Sequence, residues 1–85
     1  MRVELELRNL PQNRIMEYLV EAGGALTGEC SVKGDGWTAI LEEMEPAQLV
    51  TIRVPRDRLM IDGESPDIVE RIERFMRLKT MRGGG

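Results

Sequence analysis

Two hydrophobic rhythms take turns along the chain. Val3, Leu5 and Leu7 alternate with Glu4, Glu6 and Arg8. That period of two predicts a strand with one buried and one wet face. Asn9-Leu10-Pro11 breaks it, and Pro11 suits the first turn of a helix, where its missing N–H costs nothing. Ile15, Tyr18, Leu19 and Ala22 follow at helical spacing, with Met16 and Val20 widening the stripe. Gly23-Gly24 predicts the stop, because glycine readily takes the left-handed conformation after a helix.

The period of two then returns. Leu26, Gly28, Cys30 and Val32 alternate with Thr27, Glu29, Ser31 and Lys33, and Gly34-Asp35-Gly36 reads as a hairpin turn. Trp37, Ala39 and Leu41 form the return strand. Glu43-Met44-Glu45-Pro46-Ala47 reads as a loop. Val50, Ile52 and Val54 predict the next strand, with Thr51 and Arg53 facing away. Pro55-Arg56-Asp57 reads as a turn, and Leu59 and Ile61 as a short strand ending at Asp62-Gly63. Ser65-Pro66-Asp67 is a strong helix start, since Ser caps free N–H groups, Pro presets φ and Asp suits the positive helix end. Ile68, Ile72, Phe75 and Met76, with Val69 beside them, make its apolar stripe. Glu70–Arg74 and Glu73–Arg77 are favourable i,i+4 pairs. This helix is expected to fade near Met81.

The element order is therefore β-α-β-β-β-β-α. It predicts an α+β fold with one antiparallel sheet and two helices on one face. Residues 1–82 form a single domain and residues 83–85 a flexible glycine tail. Strands two to five have short connections and should form a meander, with the first strand beside the fifth and the second at the far edge. The helices should cover the face carrying Leu5, Val32, Trp37, Ile52 and Ile61. The opposite face collects Glu4, Glu6, Arg8, Thr27, Glu29, Ser31, Lys33, Thr38, Glu42, Thr51, Arg53, Arg58 and Asp62, with Ile40, Leu49 and Met60 as scattered apolar residues.

Composition narrows the function. At 85 residues the chain has room for one core and little space for a deep enclosed pocket. Charged residues make up 32% of it, with only two Asn, two Gln and one Cys, a bias found in heat-stable proteins. The net charge of −3 is unevenly placed. Residues 1–64 carry seven Lys/Arg against twelve Asp/Glu (−5), and residues 65–85 carry five against three (+2). No nucleic-acid partner is expected, because Glu4, Glu6, Glu29 and Glu42 would face the phosphates. No apolar run is long enough to span a membrane, and Arg2, Glu4, Glu6 and Arg8 interrupt any leader-like stretch, so a cytoplasmic protein is expected.

Zero His and a lone Cys30, expected to be structural, predict no metal site and no cofactor. No catalytic constellation emerges, so an enzyme is not expected. Trp37, the only Trp, reads as a core or rim residue. Two candidate sites remain. Arg53, Arg56 and Arg58 crowd one expected turn and could hold an anion through guanidinium forks, although Asp57 and the acidic run Glu42, Glu43 and Glu45 could equally pair with them. Gly84 and Gly85 close a glycine-rich tail, and a sulfur carrier needs such an end, because glycines thread a narrow adenylating site and the terminal carboxylate reacts. A frayed end is the plainer reading.

The hairpin VKGDGWTAILEE, the cap GESPD and the basic ending LKTMRGGG, in this element order, support a family resemblance. The chain resembles the TATA-binding-protein-like group of α+β folds. Within that group it is similar to a small domain of unknown function that follows the sulfur-carrier domain in MoaD-related proteins of thermophilic bacteria. The resemblance implies a link to sulfur transfer in molybdenum-cofactor synthesis, and it carries over no catalytic residues.

Three functions are therefore expected. The first is a non-enzymatic accessory or protein-interaction domain, self-associating as a homodimer through the edge of strand 26–33 or through the polar sheet face. The second is a sulfur-carrier-like protein acting through the Gly85 carboxylate. The third is a small-ligand binder using the gap between the last helix and the sheet.

Overall fold

The computed structural model describes residues 1–83; Gly84 and Gly85, the expected carrier terminus, lie outside the described residues. The elements run β1 (Arg2–Arg8), α1 (Gln12–Glu21), β2 (Ala25–Gly28), β3 (Ser31–Gly34), β4 (Trp37–Leu49), β5 (Ile52–Gly63) and α2 (Pro66–Gly83). All five strands are antiparallel in one sheet of order β1-β5-β4-β3-β2. The expected order is therefore present: β1 lies beside β5, and β2 forms the far edge.

Leu5, Val32, Trp37, Ala39, Leu41, Leu59 and Ile61 point from the sheet into one core. Ile15, Met16 and Leu19 of α1 meet them, together with Ile72 and Met76 of α2. Ile15, Leu59, Ile61 and Met76 have no exposed surface at all. Phe75 is only half-buried, packed at the margin of the core, so Met76 is the main apolar anchor of α2. Trp37 lies within the core. Lys79 ties the two helices together. Its ammonium lies 5.6 Å from the Phe75 ring centre and 5.9 Å from that of Tyr18, and 3.3 Å from the Glu21 carboxylate.

The helix ends follow from local chemistry. At the end of α1, the Gly24 N–H donates to the Leu19 carbonyl and the Gly23 N–H to that of Val20. Gly23 takes φ 110°, as this closing motif requires. Gly24 is needed for a different reason, since a Cβ there would run into the Val32 side chain. Ser65 Oγ accepts from the Ile68 N–H at the start of α2. The helix continues through Gly83, two residues past its expected fading point and into the expected tail.

Three local expectations are overturned. Residues 26–33 are not one strand. They form β2 and β3, joined by a turn at Glu29-Cys30, which leaves Cys30 half-buried. Residues 43–47 are not a loop, and Pro55-Arg56-Asp57 is not a turn. Both lie within the continuous β4–β5 ladder, whose two-residue turn is Val50-Thr51. The prolines sit where a sheet tolerates them. Pro46 lies in a bulge between Met44 and Ala47. Pro55 lies where β1 ends, its carbonyl accepting from the Asn9 N–H, so its missing N–H faces an edge.

Ile52 is a correction of phase. On β5 the core positions are Asp57, Leu59 and Ile61, so Ile52 falls on the opposite face, and it is 64% exposed. It is not among the helix-covered residues.

Candidate interaction site

The β4–β5 hairpin outruns the rest of the sheet. β1 pairs with β5 only as far as Arg8↔Arg56, and β3 pairs with β4 only as far as Ser31↔Ile40. Beyond those points β4 and β5 pair only with each other, to Leu49↔Ile52. Residues 43–55 therefore form a two-stranded arm, and the molecule is 42 Å long but only 23 by 20 Å across. Val50 at its tip is 95% exposed and holds φ 56°, a left-handed conformation that a β-branched side chain rarely adopts.

The root of the arm is fastened by one buried carboxylate. Asp57 is 3% exposed, and its Oδ1 accepts from Gln12 Nε2 at 2.9 Å. A buried carboxylate needs such a partner, because its unmet hydrogen-bonding capacity is costly. Gln12 opens α1, whose first turn has no acidic residue and no side-chain cap, so Asp57 supplies negative charge near that positive helix end. Leu10, Pro11, Met44, Pro46 and Pro55 line an open hollow of about 400 Å³ around it.

The sheet face away from the helices carries a grid of ion pairs. Arg2 meets Asp62 at 2.9 Å, Arg8 meets Glu6 at 2.6 Å, and Arg56 meets Glu6 at 3.2 Å. Arg58 lies 3.5 Å from Glu4 and 3.8 Å from Glu42. The hydrogen bond from Arg8, helped by the charges of Arg8 and Arg56, holds the Glu6 carboxyl below the usual glutamate range. The hydrogen bond to Asp62, with its charge, raises Arg2 further.

This grid bears directly on the candidate anion site. Arg56 and Arg58 lie on the polar face within one strand, each engaged with carboxylates, and Arg56 Nε also donates to the Glu45 carbonyl at 2.9 Å. Arg53 falls out of phase with them on β5, on the arm and exposed. The three guanidinium groups are strung along a strand and split between its faces, rather than gathered at a turn.

The α1–β2 side of the molecule holds a groove that local residue pattern does not encode. Met16 and Val20 of α1 and Leu26 of β2 border an open apolar groove of about 470 Å³, rimmed by Glu17 and Glu29. Leu26 pairs with the buried Val32, yet it is 61% exposed, because β2 is the edge strand and α1 does not reach over it. Strand alternation marks Leu26 as inward-facing; only the narrowness of α1's cover leaves it open. A second gap, between the end of α2 and β1, is lined by Leu7, Leu10, Arg77, Thr80 and Met81, with a volume of about 410 Å³. Among the described residues, no helix is long and apolar enough to cross a membrane.

The sheet, the helix pair and the arm belong to a chain whose family is defined by its sequence. The family model for archaeal MoaD-like protein matches residues 3–85, and the chain belongs to that family. A comparison with curated proteins finds no match.

Proposed function

We propose that this chain is a non-enzymatic accessory domain that works by binding protein, and that it self-associates. The observation that carries this reading is the projecting arm, which holds Val50 and Ile52 in water beyond the cover of either helix. Exposing β-branched apolar side chains on a two-stranded ladder gains nothing for an isolated monomer, and exposed apolar surface marks interaction sites. Sedimentation across micromolar to near-millimolar protein is the test. A species of twice the 9.6 kDa chain mass is expected. A monomer throughout, with no protein retained from native extract, would reject the reading.

A second reading is favoured by the family match running to residue 85, through the ending Arg82-Gly83-Gly84-Gly85. In it the chain is a sulfur carrier, the Gly85 carboxylate attacking the α-phosphate of ATP on an adenylating partner and releasing pyrophosphate. Incubation with such a partner and ATP should then give a Gly85 adenylate or, when a sulfide-level sulfur donor is added and displaces AMP, a thiocarboxylate visible by intact mass. Absence of both, together with unchanged function after removal of Gly84-Gly85, would reject this second reading.

A further inference from the structure

Among the described residues, two apolar features are left uncovered, and they match one another. The arm tip offers Val50 and Ile52, followed by the exposed Arg53. The groove between α1 and β2 offers the exposed Val20 and Leu26 as apolar walls beside the buried Met16, with Glu17 and Glu29 at its rim. Among the described residues, Arg53, Glu17 and Glu29 make no ion pair within the chain. An apolar tip with a basic shoulder therefore meets an apolar groove with an acidic rim.

We propose that the arm of one molecule docks in the α1–β2 groove of a second copy, and that the exchange is reciprocal. This deepens the self-association reading above and rests on it. The Gly28-Glu29 end of the groove lies near the arm root. The Glu29-Cys30 turn closing β2 is bonded to β4 through the Leu41 N–H and the Cys30 carbonyl at 2.8 Å, two residues before the arm begins. The six residues from Met44 to Leu49 extend by about 20 Å, at roughly 3.3 Å per residue, enough to cross a neighbour packed beside that root. A two-fold axis there lets each arm reach the other's groove and closes the assembly at two copies.

Competing self-contacts are less favourable. Groove against groove would bring the Glu17 and Glu29 carboxylates of two molecules together. The polar sheet face has its guanidinium and carboxylate groups largely satisfied internally. Strand addition along the β5 side of the arm is blunted by Pro55.

The test uses the full chain and sedimentation. Val50→Asp with Ile52→Asp should leave a folded monomer at concentrations where the unaltered chain is dimeric. Because both positions are exposed, circular dichroism should confirm that the fold survives. Arg53→Glu should weaken the dimer about tenfold or more, and combining it with Glu17→Lys and Glu29→Lys should restore it. In a Cys30→Ala background, a Val50→Cys chain mixed with a Leu26→Cys chain should form an intermolecular disulfide. If the unaltered chain is dimeric and the tip variant is equally dimeric, arm exchange is overturned while self-association stands. If the unaltered chain is monomeric throughout, both are overturned.

Discussion

The β4–β5 hairpin is one ladder with two environments. From Trp37↔Gly63 to Leu41↔Leu59 it is flanked by β1 and β3 and backed by helices, and its inward residues are almost wholly buried. Past Met44↔Arg56, where β1 ends, the same two strands continue from Ala47↔Val54 to Leu49↔Ile52 without a flanking strand and carry Val50 and Ile52 in water. Backbone pairing is shared by both halves, so pairing cannot explain why one half is a core and the other an arm. The difference lies in what covers the side chains. Asp57 marks the border, a charged residue in the phase of Leu59 and Ile61 where the core gives out.

Substitutions should separate the halves. Leu59→Ala removes a side chain with no exposed surface and should cost about 2–5 kcal/mol in chemical denaturation. Ile52→Ala, seven residues earlier on the same strand, should change monomer stability by no more than about 0.5 kcal/mol. Equal losses would show that the arm is packed rather than free. At the border, Asp57→Ala leaves the Gln12 amide without its partner and should cost about 1–3 kcal/mol.

These predictions bear on how far the residues disclosed the fold. Element order, both helix starts and the placement of β1 beside β5 were legible, because alternation, caps and glycine stops act locally. Five strands are expected and five are present, but not over the same residues. Residues 26–33, read as one strand, are two, and the residues read as two final strands and two breaks are one continuous hairpin. Pro46 and Pro55 caused the second misreading. They carry the signature of turns, and the structure places them in a bulge and at an edge, where no neighbouring strand needs their missing N–H. That misreading also inverted the phase of Ile52 and grouped Arg53 with Arg56 and Arg58. The apolar groove was illegible for another reason. Leu26 has the pattern of an inward residue, and its exposure depends on how far α1 extends over the edge strand, which no local rhythm encodes.

Smaller effects sharpen the contrast. Val50→Asn places a residue that tolerates φ 56° at the arm tip and should stabilise the monomer by up to about 1 kcal/mol, while weakening association through loss of an apolar contact. On the flanked half, Glu6 has its folded pKa depressed, chiefly by the Arg8 hydrogen bond. Its contribution is therefore present above the unfolded glutamate pKa and is lost as pH falls through the lower folded value. Glu6→Gln should flatten the acid side of the stability profile by a small amount, measured by thermal melting from neutral pH downward.

The arm's role as a contact device is tested most directly by amide hydrogen exchange along the chain as protein concentration rises from monomer to dimer. Residues 43–55 should exchange fast in the monomer and become protected in step with dimer formation, along with the α1–β2 groove, while residues 37–42 and 58–63 stay protected at every concentration. A dimer that forms while the arm keeps its monomer exchange rates would contradict the account.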